Sequence, residues 1–129
     1  MTTHTMSLSQ PWFDLVRDGI KTVEGRTYTD KRKKLNIGDT IIFKNGKQSF
    51  DKKIKDLKVF STFKEAIKNA KLKNILPGIK TYQEGVEVYL NIPNYKGQEK
   101  DFGVLNIVEP ASTLGESEFG KSAGIGVLF

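Results

Sequence analysis

The sequence predicts an α+β fold, a small twisted β-barrel decorated by helices. Three observations predict it. Short apolar segments are separated by glycine and asparagine turns, the pattern of β-strands. Intervening stretches carry helical spacing behind capping residues. The elements follow the order strand, helix, strand, strand, strand, helices, strand, so the last strand is placed to close the barrel partly. The 129 residues suit one domain over residues 1–109, with residues 110–129 as a C-terminal extension. The barrel mouth is expected near the helix-to-strand junction at Gly19–Lys21.

Thr2 to Leu8 reads as the first strand, because Thr3 and Thr5 alternate with His4, Met6 and Leu8. Ser9-Gln10-Pro11 opens a helix, with Ser9 as cap and Pro11 in the first turn. Trp12, Phe13, Leu15, Val16 and Ile20 form its buried side, and Gly19 ends it as a left-handed cap. Lys21 to Thr27 is the second strand, and Tyr28 to Asn36 a basic loop. Asn36-Ile37-Gly38-Asp39 turns into the strand Thr40 to Lys44, with Asp39 fixing the turn. Asn45-Gly46 is a hairpin signal. A long strand is expected from Phe50 to Phe60, bulged near Lys55-Asp56 where the alternation of Ile54, Leu57 and Val59 breaks.

Thr62 and Glu65 form a capping box for a helix from Phe63 to about Lys71. A short helix from Leu72 to Leu76 stops at Pro77-Gly78. Thr81 to Asn91 is a further helix, with Tyr82 and Tyr89 read as packing residues. Asn91 to Lys100 reads as a loop containing Pro93 and Gly97. Asp101 to Val108 is the last strand, with Phe102-Gly103-Val104 in the core. From Glu109 onward the chain is rich in glycine and small polar residues, and reads as an extension outside the core.

Composition narrows the function. Cysteine is absent, which excludes disulfides, thiolate zinc sites and cysteine nucleophiles. His4 is the single histidine and reads as a hydrogen-bonded structural residue. A multi-histidine metal site is therefore impossible, and acids clustered for magnesium are not found. Neither metal nor cofactor is expected. No stretch approaches the roughly 20 apolar residues that span a bilayer, so no membrane partner is expected. The first nine residues lack the charged start and apolar run of a signal peptide. An intracellular location is expected, cytoplasmic or, in a eukaryote, nuclear.

The net charge of +6 is uneven: residues 29–58 hold ten bases and four acids. A basic segment beside a polar pocket suits a polyanion such as nucleic acid, while the alternative is that the lysines only solubilise the surface. Just before it lies Gly19-Ile20-Lys21-Thr22-Val23-Glu24-Gly25-Arg26. On an extended strand Glu24 and Arg26 share one face, so a carboxylate is held between two cations at the pocket mouth.

These residues resemble the ASCH domain (activating signal cointegrator homology) of the PUA-like superfamily. The resemblance rests on Met6-Ser7-Leu8, Pro11-Trp12-Phe13, Gly19-x-Lys21-x-x-Glu24-Gly25-Arg26, Gly38-Asp39-x-Ile41-Ile42-Phe43, Phe63-Lys64-Glu65, Leu76-Pro77-Gly78, Glu84-Gly85-Val86 and Phe102-Gly103-Val104. It implies a PUA-like β-barrel with a cleft beside the first helix, and binding of RNA or of modified nucleosides. Some relatives resemble nucleases, and others are amidohydrolases that deacetylate N4-acetylcytidine. In that type the signature lysine is matched by Lys21, but the threonine nucleophile falls where this chain has Glu24. A carboxylate does not supply an activated hydroxyl in that step.

The expected function is nucleic-acid binding, chiefly of RNA. Lys21, Glu24 and Arg26 line the cleft, Trp12 stacks on a base or is core, and Lys31, Arg32, Lys33 and Lys34 track phosphates or are a solvated loop. Each signature residue has a plainer alternative: an ion pair of Lys21 with Glu24, or of Glu24 with Arg26. The alternative function is a metal-independent hydrolase of RNA or an acylated nucleoside, with Lys21 and Glu24 as acid–base pair. A third reading is a protein-interaction domain whose tail is the contact.

Overall fold

Val104-Leu105-Asn106-Ile107-Val108 lacks polar alternation, so both of its faces need cover. In the computed structural model, which describes residues 1–111, this run is β6 (Val104–Val108). It is the middle strand of a sheet, antiparallel to β2 (Val23–Thr27) on one side and to β5 (Asp56–Phe60) on the other. A second sheet holds β1 (Thr3–Ser7), β3 (Thr40–Asn45) and β4 (Gln48–Lys53), with β3 in the middle. There β1 runs parallel to β3, and β4 returns antiparallel through the Asn45-Gly46 hairpin.

The two sides of β6 serve two cores. Leu105 and Ile107 meet Ile41 and Phe43 of β3, together with Phe13 and Val16 of α1 (Trp12–Arg17). Val104 joins a second core under four helices, α2 (Phe63–Ala70), α3 (Leu72–Ile75), α4 (Tyr82–Leu90) and α5 (Tyr95–Phe102). Phe63, Ile75, Tyr89 and Tyr95 are its anchors. Each such aliphatic or aromatic side chain contributes about 1.5–3 kcal/mol on full burial, so the strand shared by both cores holds the layers together. Asn106, on the helix side, is tolerated because its amide donates to the Ala66 carbonyl at 2.9 Å. Trp12 packs against both cores and marks the end of the molecule where a cleft opens.

The α+β class holds, but among the described residues no barrel closes: the sheets share no strand. The reason lies in the stretch expected to be one bulged strand, Phe50 to Phe60. The Ile54 amide bonds to Asp39 of one sheet at 2.8 Å, and the Lys55 amide to Val108 of the other at 2.8 Å. The chain therefore changes sheets at this dipeptide, making β4 and β5 separate strands.

Other differences have local causes. The expected loop from Asn91 to Lys100 contains α5, despite the poor helix propensity of Gly97, because its side chains are anchored at both ends. Tyr95 is buried, and Glu99 accepts the Phe63 amide at 2.8 Å. The last strand consequently begins at Val104, and Phe102 ends a helix 41% exposed instead of lying in the core. Tyr82, at the start of α4, is 43% exposed. Ser9 makes no side-chain cap; α1 begins behind Pro11. At Thr62 only half of the expected box forms: the Glu65 amide donates to the Thr62 hydroxyl at 3.2 Å, but the Glu65 carboxylate accepts from the Ser61 amide at 3.1 Å; a complete box forms instead at Thr81, where the Glu84 amide donates to the hydroxyl at 3.1 Å. Among the described residues, no helix is long and apolar enough to cross a membrane. Most of the expected extension, residues 112–129, lies outside the described residues.

Candidate functional site

The turn after α1 aims Lys21 inward. Gly19 takes a positive φ of 75°, and the amides of Ile20 and Lys21 both donate to the Leu15 carbonyl, at 2.9 and 3.0 Å. The Lys21 side chain is 1% exposed. Its ammonium donates to the carbonyls of Val23 and Ile75 and lies 3.2 Å from Glu24 Oε1. The same ammonium sits 5.8 Å from the centre of the Trp12 ring. Glu24 Oε2 accepts from Arg26 Nε at 2.8 Å, and Arg26 Nη2 donates to the Ser7 carbonyl at 2.8 Å. One polar chain thus ties α3, β2 and β1 together.

The charges perturb one another. Burial lowers the Lys21 pKa, while Glu24 and then Glu109 oppose it. Burial pushes the Glu24 carboxyl up, but Lys21 and Arg26 outweigh it and leave the group below the ordinary value. Burial also acts against the Arg26 guanidinium, and Glu24 more than offsets it. Glu24 is therefore an anion between two cations, with both oxygens engaged.

Above this chain lies a cleft of about 640 Å³. Lys21, Glu24, Gly25 and Arg26 form its floor. Trp12, Tyr89, Tyr95 and Ile92 stand in its walls, and Ser7, Ser9, Lys44 and Asn45 at its rim. The Tyr89 hydroxyl is buried; the Gly25 amide faces its oxygen, and its proton has no acceptor among the described residues. Burial, reinforced by Glu24, drives its pKa well above that of a free tyrosine, so the hydroxyl keeps its proton.

Of the residues predicted from sequence, Trp12, Lys21, Glu24 and Arg26 come together at the cleft, and none of Lys31, Arg32, Lys33 and Lys34 lines it. Those four lie on and beside a 3₁₀ turn, Arg32–Lys34. Arg32 is turned back on the protein, donating to the carbonyl and hydroxyl of Thr27 at 3.0 and 2.7 Å and lying 5.8 Å from the Tyr95 ring centre. Lys33 is 3.6 Å from Asp30 and 5.4 Å from the Tyr28 ring centre. Lys31, Lys33 and Lys34 are exposed.

Four residues in or near this cluster were not read as site residues from the sequence, though Tyr89 is a packing residue as expected. Lys44 stands at the rim because it precedes the Asn45-Gly46 turn. Tyr89 lies one helical turn beyond Gly85, on the face that the Thr81 capping box orients toward the core. Gly25 was no more than the spacer between Glu24 and Arg26. Glu109, read as the start of the extension, is 2% exposed, and its amide donates to the Thr22 carbonyl at 2.8 Å. Neither Glu109 oxygen has a hydrogen-bond partner among the described residues. Burial, then the Glu24 charge, pushes its pKa up to about 8, against the pull of Lys21, Lys52 and Arg26. Among the described residues, no group of three or more acids or histidines is placed to hold a metal ion.

The comparisons with known proteins agree with this architecture. The ASCH domain model matches residues 6–111. Hypothetical protein PH0355, a Pyrococcus protein known from a crystal structure, is 36% identical, with a TM-score of 0.78 over 85% of this chain and 99% of that one. Protein PF0455 from Pyrococcus furiosus, solved by solution NMR, is 32% identical, with a TM-score of 0.70 over 85% and 97%. No match is found among curated proteins. The chain belongs to the ASCH domain family.

Proposed function

We propose that this ASCH-domain protein binds single-stranded RNA, taking one unstacked base into the cleft while exposed lysines hold the phosphates. The observation that carries the reading is the state of the cations on the cleft floor. Lys21 already meets three acceptors, and Arg26 is bound to Glu24 and Ser7. Little of their charge is left for a phosphate, whereas the partly exposed Trp12 offers an aromatic surface to a base. Phosphate contact then falls to Lys44 at the rim and to Lys31, Lys33 and Lys34 outside it, where a cation costs no desolvation to keep charged. The same saturation weighs against the hydrolase reading: Lys21 has no open hydrogen-bonding position, and Glu24 has no free oxygen with which to take a proton.

The test is fluorescence anisotropy with single-stranded RNA between 50 and 200 mM salt. Replacing Lys33 and Lys34 together by alanine is expected to weaken binding for every sequence and to flatten the log–log salt slope by about 1.4, roughly 0.7 per phosphate contact. Trp12→Ala is expected to weaken binding about 5- to 150-fold, a stacking contribution of roughly 1–3 kcal/mol, with the slope unchanged. No binding at the lowest salt would overturn the reading. Cleavage of the RNA that disappears in Lys21→Ala would replace it with the enzyme.

A further inference from the structure

We infer that the free edge of β2 at Gly25, together with the Tyr89 hydroxyl, reads the Watson–Crick edge of the base held in the cleft. This rests on the RNA-binding reading above and specifies how the base is held.

The pairing of β2 with β6 fixes which backbone groups are open. Thr22 accepts from Glu109, and Tyr28 donates to Gly103 at 2.9 Å, so the even-numbered positions of β2 are the ones bonded to β6. In an antiparallel ladder the bonded positions alternate. Glu24 and Arg26 therefore turn their amides and carbonyls toward β6, while Val23, Gly25 and Thr27 turn theirs outward. Two of these outward carbonyls are closed from within the protein: Lys21 donates to Val23, and Arg32 to Thr27. The Gly25 carbonyl receives no hydrogen bond among the described residues, and Gly25 lies on the cleft floor.

Tyr89 completes the arrangement. Its ring is fixed by stacking on Phe63, with centroids 4.3 Å apart and planes 8° from parallel. A β-carbon at position 25 would come within 2.9 Å of the Tyr89 oxygen and 3.3 Å of Ile75. The absence of a side chain at Gly25 thus lets the hydroxyl and the open strand edge converge. A buried hydroxyl whose proton has no acceptor is costly, and a ligand that accepts from it recovers that cost.

The Gly25 amide faces the Tyr89 oxygen, so the site presents one backbone acceptor, the Gly25 carbonyl, beside one hydroxyl that is left to donate. Its complement is a planar group with a donor and an acceptor side by side, which every unpaired base carries on its Watson–Crick edge. An anion is disfavoured by the Gly25 carbonyl and the adjacent Glu24. A peptide adding as a strand needs open groups at alternate residues, and the closed carbonyls of Val23 and Thr27 leave only one such residue.

The experiment compares oligomers of about ten residues made wholly of uridine or of N3-methyluridine, and of adenosine or of N6,N6-dimethyladenosine. Both modifications are uncharged and block the Watson–Crick edge while leaving phosphates and stacking in place. The native protein is expected to lose at least about tenfold in affinity for each blocked oligomer, and none for 2′-O-methyl controls. Tyr89→Phe is expected to weaken binding of the unmodified oligomers about two- to tenfold and to leave the blocked ones unchanged. Gly25→Ala, checked for folding by circular dichroism, is expected to abolish the discrimination. Equal affinity for blocked and unblocked oligomers overturns this inference but leaves RNA binding intact. No affinity for any oligomer overturns the RNA reading itself. An extended peptide that competes for the site overturns the inference in favour of strand addition.

Discussion

Replacing Lys21 by methionine keeps most of the apolar stem and removes the ammonium. The loss is specific: Glu24 keeps Arg26 as its only cation, and the carbonyls of Val23 and Ile75 lose their donor. Removing one partner of a buried ion pair costs about 3–5 kcal/mol, because the other charge stays buried. Each orphaned carbonyl adds up to roughly 1–3 kcal/mol, less whatever water entering from the cleft returns. The expected loss is therefore at least about 3 kcal/mol, a large share of the roughly 5–15 kcal/mol of a typical domain. Urea unfolding followed by circular dichroism measures it. With a slope of about 1–3 kcal/mol per molar, the midpoint should fall by at least about 1 M. Glu24→Gln and the double variant complete a cycle, and the coupling between the two sites should be about 1–3 kcal/mol. A midpoint shift below about 0.3 M, or strict additivity, would refute the placement of Lys21 and Glu24 as a buried pair.

Two further predictions concern charged residues outside the cleft lining. The folded state holds the Glu109 proton up to about pH 8, whereas an unfolded glutamate releases it near 4.5. The folded state thus binds more protons in that window, so stability falls as pH rises from about 4.5 to 8 and levels off above, by up to about 1.4 kcal/mol per unit. Glu109→Gln should remove this slope and gain most at pH 8–9 in unfolding midpoints measured from pH 5 to 9; an unchanged slope would clear Glu109 of the role. Arg32→Ala should cost about 1.5–3 kcal/mol of stability by releasing the Thr27 carbonyl and hydroxyl, while Lys34→Ala should stay within about 0.5 kcal/mol. Equal thermal shifts for the two would show that Arg32 is only another member of the exposed basic run.

The legible parts of the fold were those with local chemistry. The turns at Gly19, Asn36–Asp39 and Asn45-Gly46, the cap at Thr62, and the apolar run of β6 each declare themselves within a few residues. Asp39 holds its turn as read, accepting from the amides of Asn36 and Thr2 at 3.0 and 3.1 Å and pairing with His4 at 2.8 Å. What escaped depends on partners distant in sequence. The change of sheets at Ile54-Lys55 is made by bonds to Asp39 and Val108, which no local pattern encodes. Helix α5 is held by Thr27, whose hydroxyl donates to Gln98 at 2.7 Å, and by Phe63.

The site divides along the same line. The alternation of Glu24 and Arg26 on one face of a strand follows from period two, and the carboxylate between two cations was visible for that reason. The depth of Lys21 was not, since lysine is rarely buried and its acceptor at Ile75 lies 54 residues away. Two cations, Lys21 and Arg32, also act at the strand edge, a role distinct from holding Glu24. An open edge such as that of β2 invites pairing with another chain, and proteins commonly blunt such edges with charge. Lys21 and Arg32 blunt it at Val23 and Thr27, from opposite sides of Gly25. The residue left uncovered between them is the one without a side chain, at the floor of the cleft, so the protection of the edge and the opening of the site are two results of the same pair of contacts.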